Sequence, residues 1–216
     1  MTARTTALAA AKGGVAKSTI ASALAVQAVS EGARVALVDA EPQASLGLWW
    51  ERRGEPDNPG MFTVDDDRGL GRAVAKLRAG PWDYVIVDTP PAMMDRIEAA
   101  IRAADVVLIP VRASIFDVEA IAPVAEVCED YGKTYAFVLS HADPKWRLLP
   151  ATIDALSDCG PVLAEQLRYN QAYATALTVG KTAAEMSGRV AAEPRAEIAA
   201  LWEAVKKLAT AAVKAR

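Results

Sequence analysis

Histidine occurs once in this 216-residue chain and cysteine only twice. Ser-His-Asp or Cys-His chemistry would have to run through His141 alone, which reads more simply as a loop histidine. Cys128 and Cys159 lie far apart, with no CxxC pair and no histidine partners. Nothing here supports a zinc or iron–sulfur site, and a reduced cytoplasm is the expected setting. No apolar run is long enough to span a bilayer. The opening MTARTTALAAAKGG lacks the long apolar stretch and cleavage site of a secretory signal, so none is expected. The net charge of −3 does not describe a constitutive nucleic-acid binder.

About half of the chain is apolar, enough to bury a sizeable core. Continuous apolar runs stand at Val35–Val38, Tyr84–Val87, Val106–Ile109 and Tyr135–Leu139, and an earlier one, Ala7–Ala11, leads into glycines. Runs that do not alternate predict strands buried on both faces, as in a parallel sheet covered by helices. Helix-like stretches alternate with them: Ser18–Ser30, Ala44–Arg53, Arg68–Ala79, Met93–Ala103, Asp117–Tyr131 and Leu149–Ser157. Several close on a glycine just past the end, a helix-stop signal. Gly54–Gly60, GEPDNPG, reads as a turn or mobile loop. The expectation is α/β: one doubly wound, mostly parallel sheet with helices on both faces, forming a single domain over residues 1–216.

The chemistry concentrates at AAAKGGVAKST, residues 9–19. An apolar strand before it and a helix after it are the setting of a phosphate-binding loop, although the common GxxxxGK[ST] spacing is not met. There the backbone N–H groups of Gly13, Gly14, Val15 and Ala16 and the helix N-terminus converge on an anion. Lys17 is placed for the outer phosphates, Ser18 for Mg²⁺ and Thr19 for an inner phosphate. Two more strands end in carboxylates, in ALVDAEPQASL and YVIVDTPP, at the edge where open α/β sheets bind ligands. Asp88 fits the aspartate that holds Mg²⁺ through water. Asp39 and Glu41 flank Ala40, and alternation along an extended segment predicts both on one side.

KGGVAKST, DAEPQASL and VIVDTPP, in this order and spacing, resemble the ParA/MinD group of deviant Walker A ATPases, and VLIPVRAS resembles them too. The similarity runs over nearly the whole chain. It implies a P-loop fold binding ATP or ADP with Mg²⁺, and a weak ATPase that a partner stimulates. It also implies that the extra lysine, Lys12, crosses a dimer interface to the phosphates of the other subunit. A cation about 4 Å from a phosphate charge is worth up to about 4 kcal/mol at an effective dielectric of 20. Because that energy exists only when two loaded subunits meet, ATP would switch dimerisation, with Lys12 acting like an arginine finger in trans. Two departures stand out. Ala16 replaces the group's usual glycine, and the expectation is that the loop keeps φ negative there. Glu41 replaces the aspartate that helps place the attacking water, adding one methylene and predicting slow or repositioned hydrolysis.

Within the group, no cysteine sits where iron–sulfur branches place theirs, and no tyrosine cluster ends the chain as in the bacterial tyrosine kinases. The chain opens directly on the first strand, so the helix-turn-helix extension of larger plasmid ParA proteins is not expected. The resemblance is to a short ParA that partitions or positions a plasmid, a chromosome region or a protein complex. It implies a cytoplasmic, nucleoid-associated homodimer that binds DNA without sequence preference and works with a ParB-like or adaptor protein. Residues 1–144 carry 14 Lys/Arg against 20 Asp/Glu, residues 145–216 carry 10 against 7, and the basic candidates for DNA are Arg168, Lys181, Arg189, Lys206 and Lys207. Pro110 and the Ser140–Asp143 loop are expected near the adenine. LRYNQAYATALTVGKTAAEM resembles the segment that closes over the nucleotide. The alternative is a MinD-like membrane switch, for which Ile198, Leu201, Val205, Leu208 and Ala212 would form the apolar stripe of a last amphipathic helix. An alanine-rich stripe suits packing on the sheet better. A metabolic P-loop kinase or ligase has no need of a second lysine.

Overall fold

Every residue of β2 (Val35–Asp39) is buried, and β4 (Tyr84–Asp88) is buried beyond its first residue. Successive side chains alternate between two cores. Ala36 and Val38 of β2, with Val85 and Val87 of β4, pack on one face of the sheet; Val35, Leu37 and Ile86 pack on the other. Burial on both faces is why these runs are continuous. The computed structural model describes residues 2–41, 44–114, 117–118 and 120–214. In it β2 and β4 join β1 (Arg4–Leu8), β3 (Gly60–Thr63), β5 (Val106–Arg112) and β6 (Thr134–Ser140) in one sheet. The order is β3-β2-β4-β1-β5-β6, and every pairing is parallel.

Helices cover both faces. On one side lie α3 (Asp67–Arg78), α4 (Met94–Ala103), α5 (Ala122–Asp130) and α6 (Leu149–Cys159), burying Leu70, Ile97, Val124 and Leu156. On the other lie α1 (Lys17–Ser30), α2 (Ser45–Arg52), α7 (Gln171–Thr178) and α8 (Ala192–Lys214). There Ile20, Leu24, Trp49, Leu201 and Trp202 form the second core. Ile198, Leu201, Val205 and Ala212 of the α8 stripe are buried, so the stripe is spent on the sheet and α1. This is the doubly wound architecture expected. It brings the loops after β1, β2, β4, β5 and β6 to one edge, where ligands bind in such sheets.

Three local expectations change. Turn residues conceal β3, a four-residue edge strand that begins at Gly60, immediately after the turn. The preceding turn is held in place: Asn58 accepts from the Val35 N–H at 2.9 Å and donates to the Ala33 carbonyl at 2.9 Å. A Cβ at Gly60 would come within 2.7 Å of the Trp82 ring, so any larger residue would have to displace that ring. The first strand ends at Leu8 rather than Ala11, because Thr5 and Thr6 already pair with β4 and the alanines lead into the loop. The helix expected over Asp117–Tyr131 is interrupted: Asp117 and Val118 are helical, a turn follows at Ala120 and Ile121, and α5 begins at Ala122 with Pro123 in its first turn, where a missing N–H costs nothing.

Candidate nucleotide site

α1 starts at Lys17, and its N-cap, Ala16, offers no side-chain hydrogen bond to the first turn. The N–H groups there are left for an anion. Ala16 has φ 73° and ψ 23°, the left-handed region, against the expectation of a negative φ. Gly14, two residues earlier, has φ 71°. The loop therefore needs a second left-handed residue that this sequence does not supply as glycine. Such a conformation costs an L residue about 1–2 kcal/mol. Ala44, Ala92 and His141 also have positive φ, and all three lie in loops at this same sheet edge, where backbone strain gathers at functional sites. Ala16→Gly is expected to raise stability by about 1 kcal/mol, or about 2–4 °C in Tm for a chain of this size. Thermal unfolding of the nucleotide-free protein checks it; an unchanged or lower Tm would mean that the loop holds no such strain.

Above the loop opens a cavity of about 660 Å³, walled by Gly13, Gly14, Ala16, Lys17, Ser18 and Thr19, by Glu41, Ser45 and Pro91, and by residues from Ser140, His141 and the 167–177 segment. That is ample for a nucleotide. Lys17 is 8% exposed, and its ammonium donates to the Lys12 carbonyl at 3.3 Å. Burial pushes the Lys17 ammonium below its ordinary value, while Asp88 and Glu41 pull it back up. Asp88 lies fully buried, and among the described residues neither carboxylate oxygen accepts a hydrogen bond of good geometry, Ser18 being close enough only to favour its charge. Burial pushes its pKa up to about 7; Ser18 and Lys17 oppose this, and Asp39 and Glu41 add to it.

Asp39 and Glu41 part ways. The Asp39 carboxylate is wholly buried and accepts the backbone N–H groups of Glu41 at 3.0 Å and Gly47 at 2.9 Å. Burial raises its pKa, and those backbone bonds work against the rise. It fixes the start of α2, while Glu41 alone reaches the cavity wall. Pro42 and Gln43 of the same motif lie outside the described residues. Lys12 does not line the cavity either. Its ammonium pairs with Asp117, whose other oxygen accepts from the Arg112 guanidinium at 2.7 Å. Burial works against the Asp117 charge, but Arg112 and Lys12 hold the carboxyl below the usual carboxylate range.

Other expected site residues scatter. Val15 and Pro110 sit behind the loop, around a small pocket with Lys12 and Asp117, and Pro110 is not on the main cavity wall. Ser140 and His141, from the loop expected near the adenine, are on that wall, and His141 stands beside Tyr169 with ring centroids 6.2 Å apart. Burial, and then Arg112, lower the His141 pKa. Its place at the end of β6 brings that loop to the site, since strand ends carry it. Arg168 also lines the cavity, and it pairs with Glu193 at 3.1 Å and Glu197 at 3.7 Å. Lys206 pairs with Glu31 at 3.0 Å and Glu203 at 2.7 Å. Lys181, Arg189 and Lys207 are exposed.

Residues 6–193 match the family described as the CobQ/CobB/MinD/ParA nucleotide binding domain. The chain belongs to this family. It is 31% identical over 190 residues to the maintenance of carboxysome distribution protein A of Halothiobacillus neapolitanus, covering 82% of this chain and 85% of that one. It is 30% identical over 191 residues to the chromosome-partitioning ATPase Soj of Thermus thermophilus, covering 76% of this chain and 74% of the other. Among solved structures, the septum site-determining protein MinD of Pyrococcus horikoshii, complexed with Mg-ADP, superimposes with a TM-score of 0.76 at 19% identity, covering 97% of this chain and 98% of that one. That likeness places the six-stranded sheet in the MinD/ParA P-loop fold.

The buried Asp88 gives a pH prediction for the ligand-free protein. Its folded pKa of about 7 lies above the unfolded value of about 3.9. The folded state therefore keeps the proton that the unfolded state has released. Stability from this group is full below about pH 4 and is lost as pH rises to about 7, by about 4 kcal/mol in all. Asp88→Asn should remove that loss. Urea unfolding between pH 5 and 8 is expected to show the variant gaining on wild type as pH rises. A constant difference across that range would count against a raised Asp88 pKa.

Proposed function

We propose that this protein is an ATP-dependent dimerising switch: a weak ATPase that binds DNA without sequence preference as the ATP-bound homodimer, positions a cargo, and is stimulated by a ParB-like or adaptor protein. The observation that carries the reading is the division between the two lysines. Lys17 is buried at the cavity floor, whereas Lys12, from the same loop, is turned to Asp117 and away from its own cavity. A second loop cation that does not serve its own nucleotide is available to another subunit's. In this reading Lys12 exchanges Asp117 for the partner's phosphates when two loaded subunits meet. Arg112 stays with Asp117, so that buried carboxylate is not left without a cation.

The residues present fit Mg²⁺. The two buried carboxylate oxygens of Asp88, without a well-formed hydrogen bond among the described residues, stand close to the Ser18 hydroxyl, the hard-oxygen set this ion prefers. When bound, it would offset the charge on the outer phosphates. Lys17 and the loop N–H groups hold those phosphates, and Glu41, on the cavity wall, orients the attacking water. Glu41 carries this role here, while Asp39 serves as its anchor through the Glu41 N–H. For the base, support lies with His141 and Tyr169 rather than Pro110.

DNA contact rests on Lys181, Arg189 and Lys207, since Arg168 and Lys206 already hold carboxylates. Relatives named for carboxysome distribution and chromosome partitioning support a positioning role. The membrane alternative needs the α8 stripe exposed, and the sheet already covers most of it. Among the described residues no helix is long and apolar enough to cross a membrane. Binding to random-sequence DNA with ATP and with ADP, beside binding to anionic liposomes, tests the reading. DNA should be retained with ATP only. With about four to six phosphates engaged, log K against log salt should slope by about −4 to −5. Liposome binding without DNA binding would overturn the DNA assignment in favour of the membrane switch.

A further inference from the structure

The two ends of α2 serve different parts of the cavity. At its start, Asp39 accepts the Gly47 N–H, and Ser45 stands on the cavity wall beside Glu41. At its end, the Arg53 guanidinium forms a fork with Glu185, both bonds 2.8 Å, and also donates to the Gly180 carbonyl at 3.1 Å. The same guanidinium lies 5.4 Å from the Trp49 ring centroid. The buried Trp49 indole donates to the Lys181 carbonyl at 3.1 Å. Residue 180 must be glycine: its φ is 69°, and a Cβ would fall 2.4 Å from the Arg52 and Arg53 backbone. Glu185 is itself fixed, accepting the Thr182 N–H at 2.8 Å. Burial would raise its pKa, but Arg53 and Thr182 hold it below the ordinary value.

The strap so held, residues 180–185, follows directly from α7, and the Lys181 N–H donates to the Ala176 carbonyl at 3.0 Å. From α7, Gln171, Tyr173, Ala174, Thr175 and Leu177 line the cavity. Two parts of one cavity wall are thus tied through one short helix. We propose that Arg53 is a positioning residue of this site: its clamp on Gly180 and Glu185 holds the α7 wall against the Glu41–Ser45 wall and so sets how long a nucleotide stays bound. The inference rests on the nucleotide reading above, and it touches neither the phosphates nor the water. A forked, charge-assisted pair fixes geometry as well as adding energy, which is what a wall needs.

Arg53→Gln tests it, with Glu185→Gln as the second variant; that glutamine can still accept the Thr182 N–H. In the ligand-free protein, amide exchange of residues 171–178 should quicken in both variants, while that of β4 and α1 stays unchanged. With N-methylanthraniloyl-ATP and Mg²⁺ in stopped flow, dissociation should be at least about tenfold faster in both variants, tenfold being the size of one lost charge-assisted hydrogen bond. KM for ATP should rise with kcat little changed, and the double variant should be no worse than Arg53→Gln alone. Unchanged exchange in α7 would overturn the clamp. Faster exchange with an unaltered dissociation rate would overturn its positioning role. Failure of wild type to bind the labelled ATP would overturn the nucleotide reading, with the clamp still judged on exchange.

Discussion

Lys12→Ala is expected to bind ATP with near-normal affinity, to remain monomeric with ATP, and to hydrolyse it about 10³–10⁵-fold more slowly, the scale of a trans cation in comparable enzymes. The geometry makes the separation sharp. Lys12 does not line its own cavity, so shortening it leaves Lys17, Ser18 and the loop N–H groups in place. In the ligand-free subunit the variant loses the bond to Asp117, but Arg112 still pairs with that carboxylate, and the fold should survive. Glu41→Ala should behave in the opposite way. It keeps both lysines and loses only the carboxylate on the cavity wall, so it should collect as an ATP-bound dimer that holds DNA. Light scattering of the two variants with ATP separates them. Wild-type dimerisation and turnover in Lys12→Ala would refute the trans mechanism, whatever the loop resembles.

Lys17→Ala is expected to weaken ATP binding about 10³-fold, because one cation–phosphate contact at about 4 Å is worth about 4 kcal/mol at an effective dielectric of 20. In the ligand-free protein the loss is small, since burial already works against the Lys17 charge and Asp88 can take up a proton near neutral pH. Calorimetric titration with ATP and Mg²⁺, beside circular dichroism to confirm the fold, measures the two effects apart. Undiminished affinity in a folded variant would remove the loop from the nucleotide site.

The contrast between β2 and β3 explains how much of the fold was legible. A strand buried on both faces leaves a continuous apolar run, and VALVD announces itself. GMFT lies at the sheet edge with its last two residues exposed, so no such run forms and the turn residues before it dominate. Likewise, Ala16 does not reveal its φ of 73°, because a left-handed turn runs against alanine's own preference and is not written in its residue type.

By itself the sequence determined the alternating strands and helices, the phosphate loop with its two lysines, and the carboxylates at two strand ends. Each of these is written in local order, as runs of apolar residues or as residue types at fixed spacing along one segment. The tertiary structure alone decided the partners. Lys12 meets Asp117 105 positions away, and Arg53 meets Glu185 132 positions away. Asp39 turns inward to backbone N–H groups while Glu41, two residues on, faces the cavity. His141 reaches the same cavity as the phosphate loop because β6 ends at the same edge as β1. Such pairings depend on which strand ends the parallel sheet brings together and on which charges burial leaves to be neutralised. Neither is a property of any one stretch of chain.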